Sequence, residues 1–78
     1  MAYYGPRRKS KLQKACEALD PGVRIEAKRV TLGGRYYDHH EVYDGAGVAI
    51  GWNDGSEAGP RWAWLRALSE LERRRARV

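Results

Sequence analysis

Seventy-eight residues with a formal net charge of +5, three Trp, five Tyr and no Phe bound the chain to one small domain, most of whose large rings carry a polar handle. A single cysteine excludes an internal disulfide, and no apolar run approaches the length of a signal peptide or a membrane span. The expected compartment is therefore the cytoplasm, that of the host cell if the gene is phage-borne, and the chain from Met1 reads as a complete small gene product.

Residues 1–9 form a basic and aromatic arm, with Tyr3 and Tyr4 beside Gly5-Pro6 and with Arg7, Arg8 and Lys9 leading onward. The spacing predicts a helix over 10–19. Ser10 and Gln13 have capping-box spacing, Leu12, Ala15, Cys16 and Leu19 make one apolar stripe, and Asp20-Pro21-Gly22 ends it. In that stripe Cys16 acts as a small buried hydrophobe, with no neighbour in sequence to activate a thiol.

Residues 23–52 read as three strands, because Val23, Ile25 and Ala27 alternate with Arg24, Glu26 and Lys28. Gly33-Gly34 makes a two-residue hairpin turn, Tyr36–Tyr43 a second strand, and Asp44-Gly45-Ala46-Gly47 a further turn before Val48–Trp52. The first turn pairs Ile25 with Val42, Ala27 with His40, Arg29 with Asp38 and Thr31 with Tyr36. An odd-numbered second loop with a glycine bulge places Val48, Ile50 and Trp52 beside Val42, His40 and Asp38. The expected core face is Val23, Ile25, Ala27, Val42, Val48, Ile50 and Trp52, with Asp38 and His40 needing partners or an edge.

After the Asn53-Asp54-Gly55-Ser56 turn, Gly59-Pro60 suits a helix start, and the pattern predicts a helix over 60–75 with a frayed tail at 76–78. Projected at about 100° per residue, Trp64, Leu65, Leu68 and Leu71 face the sheet. Trp62 lies outward with Arg66, Ser69, Arg73 and Arg77, either as an interface anchor or packed under Tyr3 or Tyr4, and Arg66 stands within cation–π reach of it. The expected fold is α+β, in the order α-β-β-β-α, with a three-stranded antiparallel meander and two helices on one face.

Charge is segregated along the chain: residues 1–30 sum to +5, 31–60 to −4 and 61–78 to +4, and eleven of the fifteen cations are Arg. The two basic ends either build one surface for phosphate or an acidic protein patch, or are solvated helix faces. The residues expected to meet a partner are Arg61, Trp62, Arg66, Arg73, Arg74 and Arg77, with Arg7, Arg8 and Lys11 as a second cluster. A second candidate surface is the wet sheet face, where Arg24, Lys28, Arg35, Tyr37, His39 and Tyr43 mix cations with rings as single-stranded nucleic acid binders do; Glu26 and Glu41 oppose that use.

Asp38-His39-His40-Glu41 has metal-ligating residue types, but successive strand side chains point to opposite faces, so His39 and His40 cannot share one ion. No cofactor or metal is expected. No nucleophile with a base and no phosphate-cradling loop accompany these residues, so no catalysis is expected either.

The element order resembles that of double-stranded-RNA-binding domains over residues 10–75. Where that family carries a lysine cluster and a basic-histidine loop, this chain reads Gly59-Pro60-Arg61-Trp62 and Leu32-Gly33-Gly34-Arg35, so the resemblance implies a topology without the duplex-RNA contacts. A short, motif-poor basic chain with an outward aromatic also resembles in kind the accessory inhibitors of phages and mobile elements, the anti-CRISPR proteins among them. That resemblance implies a binding protein, monomeric or homodimeric, that docks on a nucleoprotein effector and blocks its nucleic-acid site. The alternatives are a direct, sequence-tolerant nucleic-acid binder and, third, a metal-dependent enzyme.

Overall fold

In a computed structural model, which describes residues 9–57 and 59–77, the chain runs α1 (Lys11–Leu19), β1 (Arg24–Leu32), β2 (Arg35–Tyr43), β3 (Ala49–Trp52) and α2 (Arg61–Ala76). The three strands form one antiparallel sheet in the order β1-β2-β3, so the fold is the α+β meander with two helices. Arg7, Arg8, Tyr3 and Tyr4 lie outside the described residues.

Helix α1 begins where Ser10 Oγ accepts the Gln13 N–H at 3.1 Å. Only half of a capping box forms, since the Gln13 amide donates to Glu17 Oε2 at 3.3 Å instead of returning to Ser10. Cys16 is fully buried, with Leu12 and Leu19 packed against the same core. At the far end Asp20 accepts the Gly22 N–H at 3.0 Å and the Gly45 N–H at 2.8 Å, which ties the turn after α1 to the turn after β2.

The first hairpin has the expected register: Ile25 opposes Val42, Ala27 opposes His40, Arg29 opposes Asp38 and Thr31 opposes Tyr36. Its turn works because Gly33 and Gly34 both adopt positive φ, 59° and 78°, a backbone that residues with a Cβ avoid.

The third strand differs from expectation. Tyr43 opposes Ala49, Val42 opposes Gly51 and Glu41 opposes Trp52, with the bulge inside the ladder at Ile50 rather than confined to the loop. One extra residue reverses the parity beyond it, so Trp52 leaves the expected core and stands half-exposed on the face away from α2. Val48 lies before the paired residues and is also exposed, whereas Ile50 is buried. Ala27, a further expected core residue, is exposed because, of the described helices and strands, only β2 runs beside β1, and only Ile25 of the strand packs against the core.

Gly51 takes the place under α2 that a side chain was expected to fill. A Cβ there would lie 2.2 Å from the Ala63 carbonyl oxygen and 2.6 Å from the Ala67 nitrogen, so helix and strand backbones nearly touch. Ala63, Trp64, Ala67 and Leu71 are accordingly the buried residues of α2, and Leu65, expected inside, is exposed. The helical projection weighted large side chains, but the contact selects small ones and rotates the buried face toward the alanines.

Helix α1 packs on α2 rather than on the strands. Its first turn faces Pro60, Arg61 and Trp64, and its last faces Leu71, Arg74 and Arg75, so the two helices run parallel. Cys16 seals the contact by donating its S–H to the Trp64 carbonyl at 3.6 Å.

Candidate macromolecular interface

The seven described residues of the nine expected to meet a partner do not form one patch; Arg7 and Arg8 lie outside the described residues. Lys11 and Arg61 are the first residues of α1 and α2, both exposed, and they line one groove with Leu12, Pro60 and Trp64. Trp62 follows Arg61 without lining that groove, and 38% of its surface is exposed. Arg73, Arg74 and Arg77 lie at the other end of a helix that rises about 1.5 Å per residue, roughly 20 Å away.

Several of those cations hold the fold together. The Arg66 guanidinium grips Glu57 at 2.6 and 2.8 Å, donates to the Trp52 carbonyl at 2.8 Å, and lies 5.4 Å from the centre of the Trp62 ring. The bidentate pairing holds the Glu57 carboxyl below its ordinary range. Arg74 donates to Asp44 and Glu70, each at 2.8 Å, and Arg73 pairs with the same Glu70. Lys11, Lys14, Arg35, Arg61, Arg75 and Arg77 have no carboxylate partner among the described residues.

Trp62 thus sits at the basic start of the helix pair, flanked by Arg61 and backed by a guanidinium that is itself fixed from two other sides. An aromatic ring held this way loses little freedom when a partner covers it. Among the described residues no ring lies under the C-terminal arginines.

The sheet face assembles as expected but is electrostatically muted. Register places Arg24, Lys28, Arg35, Tyr37, His39 and Tyr43 on the side away from α2. Arg24 stacks 4.6 Å from the Tyr43 ring and pairs with Glu26, Lys28 reaches Glu41 at 3.3 Å, and His39 lies 3.5 Å from Glu41 and edge-on to Tyr37. Of its three cations only Arg35 lacks a carboxylate partner among the described residues. Trp52, which parity moved to this face, adds a half-exposed indole.

His39 and His40 point to opposite sides of β2, and no group of three potential metal ligands occurs among the described residues. Asn53 was read only as a turn residue, yet it is completely buried. Its amide accepts the His40 N–H at 2.6 Å and donates to the carbonyls of Asp38 and Glu57 at 3.1 and 2.9 Å, extending the β2 ladder past the end of β3. An Asn directly after a strand is the only sequence signal for this role.

No protein-family model, curated protein or solved structure matches the chain. The functional reading rests on its own residues. Among those described, no helix is long and apolar enough to cross a membrane.

Proposed function

We propose that this protein acts by binding, without catalysis, and that it docks through the paired starts of α1 and α2 on an assembly that handles nucleic acid. The observation that carries the reading is Trp62: a part-exposed indole backed by Arg66 and preceded by Arg61, which lines a groove with Lys11 at the same end of the helix pair, neither of these two cations having a carboxylate partner among the described residues. Such a surface suits an acidic protein patch, or the margin of a site built for nucleic acid, with the ring as anchor. In its most specific form, the protein is an inhibitor of the anti-CRISPR kind, carried by a phage or mobile element and acting in the cytoplasm of the host cell.

Phage plating on bacteria that target the phage by CRISPR tests this form. Expression of the protein should restore plaques, and the Arg61→Ala/Trp62→Ala variant should restore few, although its folding stability changes by only about 1 kcal/mol. Full restoration by the variant would remove the assigned surface, and no restoration against any CRISPR type would remove the inhibitor reading.

Trp52 supports a second reading, direct binding of single-stranded nucleic acid on the sheet face beside Tyr37 and Tyr43. Glu26 and Glu41 weaken it by neutralising Arg24 and Lys28. A gel shift at low salt that fades steeply as salt rises supports this reading, and no shift at low salt removes it.

A further inference from the structure

The open edge of β1 sets it apart from the other strands. The outer side of β2 is covered by β3 along Glu41–Tyr43, and beyond β3 the Asn53 side chain takes the His40 N–H and the Asp38 carbonyl. β1 is nine residues long, pairs with β2 from end to end without a bulge and contains no proline, and of the described helices and strands only β2 runs beside its backbone, although Ile25 packs on the core and Leu32 lies beside Gly55. Past Ala27 the hairpin stands without a third strand, and although Leu32 and Tyr37 lie beside Gly55 of the loop after β3, Leu32 and Tyr36 near its tip are still 65% and 72% exposed. A long straight edge of this sort is a template for another strand, and a bare two-stranded ribbon gains stability from a third.

We propose that β1 pairs antiparallel with β1 of a second copy, centred on Ala27, to make a continuous six-stranded sheet. Two copies related by a twofold axis normal to the sheet must centre the pairing on a residue, because opposed side chains share a face. Centring on Glu26, Lys28 or Arg29 sets like charges directly against each other. Centring on Ile25 leaves only Arg24–Glu26 of the strand within the pairing, and centring on Val30 forms no ion pair. The Ala27 centre engages residues 24–30, puts a small exposed side chain on the axis, and sets Glu26 opposite Lys28 of the second copy on both sides of it.

Within one chain Glu26 pairs with the exposed Arg24 of its own strand but is opposed from the next. Its cross-strand neighbour is Glu41, a like-charge opposition that the hairpin would be better without. A lysine of a second copy opposite it adds a cross-strand partner of opposite sign.

Sedimentation equilibrium from about 1 µM to about 1 mM tests the proposal. The wild-type chain should pass reversibly from one to two chain masses. Glu26→Lys should raise the dimer dissociation constant about tenfold or more, while its melting temperature at low concentration is little changed, because relief of the opposition to Glu41 offsets loss of the exposed pair with Arg24. Adding Lys28→Glu to that variant should restore dimerisation by inverting both intermolecular pairs. A wild-type monomer at every concentration would overturn the proposal and leave the edge to a strand of another protein. A dimer indifferent to Glu26→Lys would overturn it in favour of a different interface. Either result leaves the reading of the Trp62 surface untouched, since that surface lies on the helices.

Discussion

The Asp44 carboxylate divides its two oxygens between turn and helix. Oδ1 accepts the N–H groups of Ala46 at 2.9 Å and Val48 at 2.8 Å, and Oδ2 takes Arg74 at 2.8 Å, so one buried residue joins the β2–β3 turn to the end of α2. The Arg74 hydrogen bond first, then the two N–H groups, hold its carboxyl below the ordinary range. A depressed carboxylate adds stability that is complete above its unfolded pKa and is lost as pH falls through the folded one. The melting temperature should therefore be level near neutrality and drop on acidification below the ordinary carboxylate range, as Asp44 and Glu57 lose their charges. Asp44→Asn should melt lower at neutral pH and show a shallower acid decline; an unchanged decline would place the acid sensitivity elsewhere. Cys16 gives a second residue-scale outcome, because burial first, then the charges of Glu17 and Glu72, push its thiol up to about 11. At pH 8 a disulfide reagent should label it roughly a hundredfold more slowly in the folded chain than in denaturant, and equal rates would show the α1–α2 contact to be open.

Helix α2 and strand β3 meet through backbone at Gly51, and that closeness orients the whole helix. Gly51→Ala drives a Cβ into the Ala63 carbonyl and the Ala67 nitrogen, neither of which can swing aside as a side-chain tip would. It should cost about 2–3 kcal/mol in chemical denaturation. A loss within error would mean that α2 rides farther from the sheet. The elements themselves were legible in the sequence because their signals are local: Ser10 marks the start of α1, and Gly33-Gly34 makes the β1–β2 pairing follow by counting. β3 was legible only as a strand. Its four residues offer few alternations, and a bulge at Ile50 shifts Trp52 across the sheet without leaving a composition signal. The burial of Ala63 and Ala67 was hidden for a related reason, since a pattern that ranks residues by size cannot see a contact that requires small ones.

Across the molecule, charge segregation along the chain resolves into cations with structural duties and cations without them. The acidic middle segment supplies Asp44 and Glu57, which engage Arg74 and Arg66 of the basic end, so part of the sequence's bipolar charge is consumed in holding α2 to the sheet. Counting charges could not separate these arginines from Arg61, because pairing across the fold depends on where Asp44 and Glu57 come to lie. The outward position of Trp62 and its contact with Arg66 were legible, because four-residue spacing on a helix fixes both. The meeting of Lys11 with Arg61 was not, since it depends on α1 lying parallel to α2. The most direct test of the docking account is competition for labelled target DNA on each of a panel of purified CRISPR effector complexes. The account predicts that the wild-type protein displaces DNA from at least one effector near one-to-one stoichiometry, and that Arg61→Ala/Trp62→Ala needs about tenfold more or greater. Displacement from none of them, or equal displacement by the variant, would contradict it.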